Sequence, residues 1–221
     1  MKRRTAFLMP AYNPTREDLA RTLNSLLTQS EGADIVIVDD GSRSPVSAML
    51  APQAGVIPLR LDRNQGITAA LNHGLEYIVN HGYEFVARMD CGDLCMRDRI
   101  EKQQAYMDAH PEIDLLGAFA DIVDEQGHHL FFEGTSDGRA AIGRKLRDNA
   151  AFKHPTFFFR TSCVRRLGGY STDYRHAEDY EFMWRVYKEG GIDFLDDLLV
   201  NYEKNSASIS SKKRSAQVRS R

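Results

Sequence analysis

Four aspartates stand where apolar runs end. Asp39 and Asp40 close "DIVIVDD" ahead of Gly41 and Ser42, and Asp90 and Asp93 close "VARMDCGD". Carboxylates gathered in one crevice repel one another and lose hydration unless a cation or hydrogen-bond donors compensate. An oxygen-only ligand set of this kind suits Mg²⁺ or Mn²⁺, which keeps waters and bridges one or two carboxylates to phosphates. Each pair alone also has a plain structural explanation, since an Asp after a strand is often a turn residue or a helix cap. The two pairs together, with Tyr12 in "PAYNP" available to stack on a base, point to a nucleotide site.

A further carboxylate lies far along the chain, in "RHAEDYEFMWRVY". On a helix, Asp179 shares a stripe with Phe182, Met183 and Val186. The helix dipole favours negative charge in the first turn. A rigid, partly desolvated carboxylate there is also placed to act as a general base. The competing explanation is an acid that satisfies backbone amides at the helix start. Glu181 and Arg185 are an i, i+4 surface pair.

The elements that position these residues alternate over the first hundred positions. "TAFLM" reads as a buried strand. A helix follows, with Thr15 as cap, Asp18 three positions later, and a stripe of Leu19, Leu23, Leu26 and Leu27. "DIVIVDD" is a second strand and "GVIPLRL" a third, placed near a sheet edge because Pro58 cannot donate to a ladder. Ile67, Leu71, Leu75 and Ile78 mark a helix that Gly82 ends, and "YEFVARM" is a fourth strand. Such βαβα order predicts an α/β fold whose central sheet is mainly parallel and covered by helices on both faces. In open sheets of this type ligands bind outside the carboxyl ends of the strands, where the unusual acids stand.

The second half reads as two strands, "IDLLGAFADIV" and "HHLFF", joined at "DEQG". A polar helix carrying Ile142 and Leu146, a strand-like "PTFFFR" and a short helix over 162–167 come next. "EDYEFMWRVYKEGG" is a helix with a glycine stop, and "DFLDDLLVNYE" is strand or extended chain. No repeat or low-complexity linker divides the chain. The expectation is one domain over 1–205 and a basic tail over 206–221, whose last ten residues, "KKRSAQVRSR", carry five basic side chains. That tail is a solvated end or a loose anchor to anionic lipid.

With 42% hydrophobic and 27% charged residues the composition is that of an ordinary globular protein, and a net charge of -2 argues against a nucleic-acid partner. No stretch approaches the roughly 18 apolar residues of a membrane span. The apolar start breaks at Pro10, too early for a signal peptide. Cys91, Cys95 and Cys163 lack a disulfide or zinc spacing and are expected to be reduced packing residues in a cytoplasmic protein.

"PAYNP", "VDDGS", "NQGITAALNHG", "RMDCGD", "KHPTFFFR" and "AEDYEFMWR" occur in an order that resembles family 2 inverting glycosyltransferases of the GT-A fold, over roughly Thr5 to Tyr202. The resemblance implies a Rossmann-like, mostly parallel sheet with a small antiparallel addition. It implies transfer of a sugar from a nucleotide diphosphate sugar to an acceptor hydroxyl with inversion, with Mg²⁺ or Mn²⁺ as cofactor. Residues 1–95 would bind the donor and 96–205 the acceptor. By the same resemblance Pro10, Ala11 and Tyr12 line the base pocket, and Asp40 with Asp39 hydrogen-bonds the base. Asn64 and Gly66 sit beside the nucleoside, Asp90 meets the diphosphate, and Asp90 and Asp93 hold the metal. Asp179 is the base of the Glu-Asp pair, and His154 and Glu178 lie near the diphosphate or acceptor.

The family pattern is Asp-x-Asp, whereas here Gly92 stands two after Asp90 and the acid follows at Asp93. The expectation is that Gly92 lets the backbone turn so that Asp93 still reaches the ion. By analogy the acceptor is a saccharide or lipid-linked saccharide of polysaccharide biosynthesis, met at the inner membrane face. Two other readings differ in class. A sugar nucleotidyltransferase would need a Gly-rich basic loop after the first strand, and "AYNPT" has none. A non-catalytic nucleotide-sugar-binding module would follow if Gly92 weakened metal binding.

Overall fold

A computed structural model describes residues 3–135 and 138–204. The basic residues 212–221 lie outside the described residues. Strands β1 (Thr5–Ala11), β2 (Asp34–Asp39), β3 (Val56–Arg60) and β4 (Phe85–Arg88) run parallel in the order β3-β2-β1-β4. β3 is the edge strand, as Pro58 requires.

Side-chain alternation splits the core in two. Ala6, Leu8, Val36, Val38 and Val86 face one side of the sheet, and Phe7, Met9, Ile35, Ile37, Phe85 and Ala87 face the other. Helix α1 (Arg16–Leu27) buries Leu19 and Leu26 on the second side, and Thr15 caps it by accepting Asp18 N–H at 3.0 Å. Helix α2 (Ile67–Asn80) buries Ala70, Leu71, Leu75 and Ile78 on the first. Helices therefore cover both faces, as the alternation predicts.

The second half continues the same sheet. The two-residue β5 (Leu94–Cys95) precedes α3 (Arg99–Ala109), β6 (Leu115–Val123) and β7 (His129–Glu133). Then come α4 (Gly138–Lys145), β8 (Phe158–Arg160), α5 (Thr161–Leu167), α6 (Glu178–Glu189) and β9 (Ile192–Glu203). The full order is β3-β2-β1-β4-β8-β6-β9-β5, with β7 on β6. β8 is antiparallel to both β4 and β6 and joins the halves, while β6 and β9 are parallel. The small antiparallel addition is the β6–β7 hairpin and the short β5 on β9.

Helix α3 has no counterpart in the apolar pattern, for a physical reason. Its inward side buries Arg99, Gln103 and Gln104 beside Ile100 and Met107. Arg99 donates to Gln103 Oε1 and to the Phe157 carbonyl, and Gln103 donates to the Thr156 carbonyl. Bonded polar groups thus fill places a sequence reader expects to be apolar. Among the described residues no helix is long and apolar enough to cross a membrane.

Candidate active site

The carboxyl ends of β1, β2 and β4 open into a cavity of about 700 Å³. Pro10, Ala11 and Tyr12 form one wall, Asp40, Asn64 and Gly66 another, and Asp90 closes the floor. Six residues expected at a nucleotide from separate motifs, and Asp90 besides, thus share one hollow. Tyr12 is 53% exposed, its ring free to take a stacked partner. Asp40 accepts hydrogen bonds from Asn64 Nδ2 at 3.0 Å, Gln65 N at 2.7 Å and Gly66 N at 2.9 Å. One carboxylate therefore fixes the loop that enters α2, where Gly66 holds a φ of 93° that side-chain-bearing residues rarely adopt.

Asp39 is corrected by the structure. It was expected beside Asp40 on the base, but it is buried and points into its own loop. Its carboxylate accepts Ser42 N–H at 2.8 Å and Val46 N–H at 3.0 Å and pairs with Arg60. Burial alone would raise its pKa, yet the Ser42 and Val46 bonds and the Arg60 charge outweigh it and hold the carboxyl below the usual range.

Asp93 also departs from expectation, although the turn that was meant to bring it to an ion is present. Gly92 has a φ of 112°, and its N–H donates to Thr22 Oγ1 at 2.9 Å. A Cβ there would meet nothing within 4 Å, so backbone conformation, not space, calls for glycine. The turn carries Asp93 inward, to 4% exposure, where Oδ1 accepts Glu203 N–H at 3.0 Å and Oδ2 has no partner. Burial first, and the Asp90 charge second, push its carboxyl well above the usual range. Asp93 lines neither cavity described here.

Asp90 alone of the pair faces the cavities, and Arg88 holds it by an ion pair of 2.6 Å. Among the described residues no group of three or more His, Cys, Asp or Glu side chains is arranged to hold a metal. Asp90, which lines both cavities, is a carboxylate that fits Mg²⁺ or Mn²⁺ where phosphates and waters complete the shell.

A smaller cavity of about 260 Å³ adjoins the first, and Asp90, Ile67 and His176 line both. Glu178, Asp179 and His154 stand in its wall, with Glu133 and Lys153 paired at 3.2 Å. Asp179 is half-buried at the start of α6, and its Oδ1 accepts Tyr180 N–H at 2.7 Å. The buried head of the helix stripe is Glu178, one residue earlier than expected, above Phe182 and Val186. His154 shares a 2.8 Å hydrogen bond between Nε2 and the Tyr170 hydroxyl. Its burial, then the Arg88 charge, keep its imidazole neutral by lowering the pKa well below the ordinary value.

Three participants were not singled out in the sequence. Arg88, wholly buried, is the cation under the acids. Lys153 stands in the smaller cavity's wall. His176 joins the two cavities with a φ of 66°, an uncommon conformation for a non-glycine residue. Arg88 was hidden inside an apolar strand, and His176 inside a loop whose geometry has no periodic signature.

A family model described as "Glycosyl transferase family 2" matches residues 6–168. The chain is 32% identical to the amylovoran biosynthesis glycosyltransferase AmsE of Erwinia amylovora over 213 residues, covering 93% of this chain and 78% of that one. It is 27% identical over 198 residues to the putative glycosyltransferase EpsE of Bacillus subtilis (strain 168), covering 85% and 68%. Among solved structures it resembles S. aureus TarS 1-349 in complex with UDP-GlcNAc, with a TM-score of 0.73 and 20% identity over 95% of this chain. The chain spans 61% of the length of that structure. This likeness establishes the α/β layout of a GT-A glycosyltransferase.

Proposed function

The chain belongs to glycosyl transferase family 2, and on that premise we propose that it moves a sugar from a nucleotide diphosphate sugar to an acceptor hydroxyl with inversion. The observation that carries this reading is the pair of adjoining cavities that share Asp90. A donor whose nucleoside lies along Pro10, Tyr12, Asn64 and Gly66 would bring its diphosphate to Asp90 and its sugar to the shared wall. The smaller cavity then takes the acceptor. In this assignment residues 1–95 bind most of the donor and 96–205 the acceptor, with Thr172, Arg175 and His176 reaching back to the donor cavity.

The roles follow from placement. Tyr12 stacks on the base and Asp40 holds the nucleoside loop in shape. Arg88 orients Asp90, which would hold Mg²⁺ or Mn²⁺ against the diphosphate. Such an ion, when bound, supplies positive charge that offsets the negative charge on a departing nucleoside diphosphate. Asp179 accepts the proton of the acceptor hydroxyl as it attacks the anomeric carbon from the face opposite the leaving group. His154, neutral and bonded to Tyr170, fixes the cavity wall.

The kinship to an amylovoran biosynthesis enzyme supports a saccharide or lipid-linked saccharide acceptor in polysaccharide assembly. The basic side chains of residues 206–221 are the basis for proposing work at the inner membrane face, with that tail as the peripheral contact. A uridine nucleotide sugar is the first donor to test, because UDP-GlcNAc is bound in the TarS structure. A thermal-shift panel of nucleotide diphosphates and their sugars, with and without Mn²⁺, should show one nucleotide raising the melting temperature more strongly with the ion. Proton NMR of the first product formed should then show an anomeric configuration opposite to the donor's. A product with the donor's configuration would rule out single displacement by Asp179.

A further inference from the structure

The first turn of α6 carries two neighbouring carboxyl groups in unlike surroundings. Asp179 is half-buried and has a backbone donor, Tyr180 N–H, on Oδ1. Glu178 is 6% exposed, stands in the wall of the smaller cavity, and its Oε2 has no hydrogen-bond partner. The groups that face Glu178 compensate a charge on it only in part. Asp179 on its own helix and Asp90 beyond β4 are like charges, and the Arg88 charge, whose two terminal nitrogens donate to Asp90 and to the Met89 carbonyl, offsets them only in part. Tyr170 and His154 are bonded to each other, Lys153 is paired with Glu133, and His176 stands in the same wall. An anion placed there would lose its hydration and gain no donor at Oε2, so its protonated form is favoured.

We propose that Glu178 and Asp179 divide one negative charge unequally, Glu178 serving as an uncharged acid that turns its O–H to the cavity and Asp179 as the anion. Glu178 is then a positioning residue. By holding the proton it spares Asp179 a second like charge, and it presents a hydrogen-bond donor instead of a repelling carboxylate to the oxygen-rich ligands assigned above. Only that last step rests on the transferase reading. The charge balance agrees: burial first, and the Asp179 charge next, push the Glu178 carboxyl up to about 7, although its own backbone N–H and Arg88 pull the other way. Above that pH the wall gains a further anion, and binding of an anionic donor should weaken.

Carbon-13 NMR of the full chain labelled at glutamate carboxyl carbons tests the assignment without any ligand. One resonance, absent from Glu178→Gln, should titrate near pH 7, and its midpoint should fall in Asp179→Asn, where the like charge is gone. If every glutamate of the unmutated chain titrates near the ordinary value of about 4.3, the proposal is overturned, whether or not the variants fold. A midpoint unmoved by Asp179→Asn would overturn the pairing.

Melting curves give a second readout. A proton held by the folded chain but not by the unfolded one stabilises at low pH and is lost as pH rises from about 4.5 to about 7. Glu178→Gln should therefore melt higher than the unmutated chain at pH 8, by on the order of 5 °C, with much less gain at pH 4.5. An equal shift at both pH values would mark a merely structural role. Because neither readout uses a sugar, they stand or fall separately from the transfer chemistry.

Discussion

At the residue scale, two aspartates three positions apart have opposite fates. Asp90 faces the cavity and pairs with Arg88, while Asp93 is turned inside and accepts Glu203 N–H. Calorimetric titration of Mn²⁺ in the presence of UDP should therefore separate them. Asp90→Asn should lose the ion-dependent part of nucleotide binding, and Asp93→Asn should keep it, with stability changed by about 1 kcal/mol or less, since a protonated acid and an amide make similar hydrogen bonds. Loss of ion-dependent binding in Asp93→Asn would restore the two-carboxylate site expected from the sequence. Asp40 supports three donors of the α2 entry loop. Asp40→Ala leaves those donors to find water and should cost about 1–3 kcal/mol in denaturant unfolding, with nucleotide affinity falling alongside.

At the element scale, the turn after β4 decides which acid is presented. Gly92→Ala forces a side chain into a φ of 112° and should cost about 1–3 kcal/mol, measured as a lower denaturation midpoint with unchanged slope. The elements most legible in the sequence were those whose periodicity agrees with their burial: β1, β2, β4, α1 and α2. Asp40 and Asp90 could be placed because strand ends converge in such sheets. Asp39 and Asp93 could not be told apart from them, because one φ or one backbone donor decides whether a carboxylate faces a cavity or its own loop. Helix α3 has no apolar signature because its inward face buries Arg99, Gln103 and Gln104. The two-residue β5 is too short to have a period, and its pairing with β9 is set by contacts far along the chain.

At the scale of the whole molecule, strands from both halves interleave in one sheet, so the two cavities are fixed relative to each other by the fold itself. Buried acids also set how the fold responds to pH. Asp39, held below the usual carboxyl range, gives stability that is present above its unfolded pKa and lost as pH falls through the folded one. Glu178 and Asp93, held above the usual range, have the opposite sign and withdraw stability as pH rises. His154, held below its ordinary value, adds stability as pH rises and opposes the acids. Calorimetric scans from pH 4 to 8 should therefore compare Glu178→Gln with the unmutated chain. The gap in melting temperature should widen toward neutral pH, and a constant gap would contradict the buried-acid account.

The most direct test puts binding and transfer side by side in Asp179→Asn. The amide keeps the shape of the helix start and cannot accept the acceptor's proton as a carboxylate does. With the donor identified by thermal shift, the variant should bind it with an affinity within about twofold of the unmutated chain while turnover falls by at least about 100-fold, the lower end of general-base contributions. Near-normal turnover with intact donor binding would remove the proton acceptor from α6 and contradict the two-cavity mechanism.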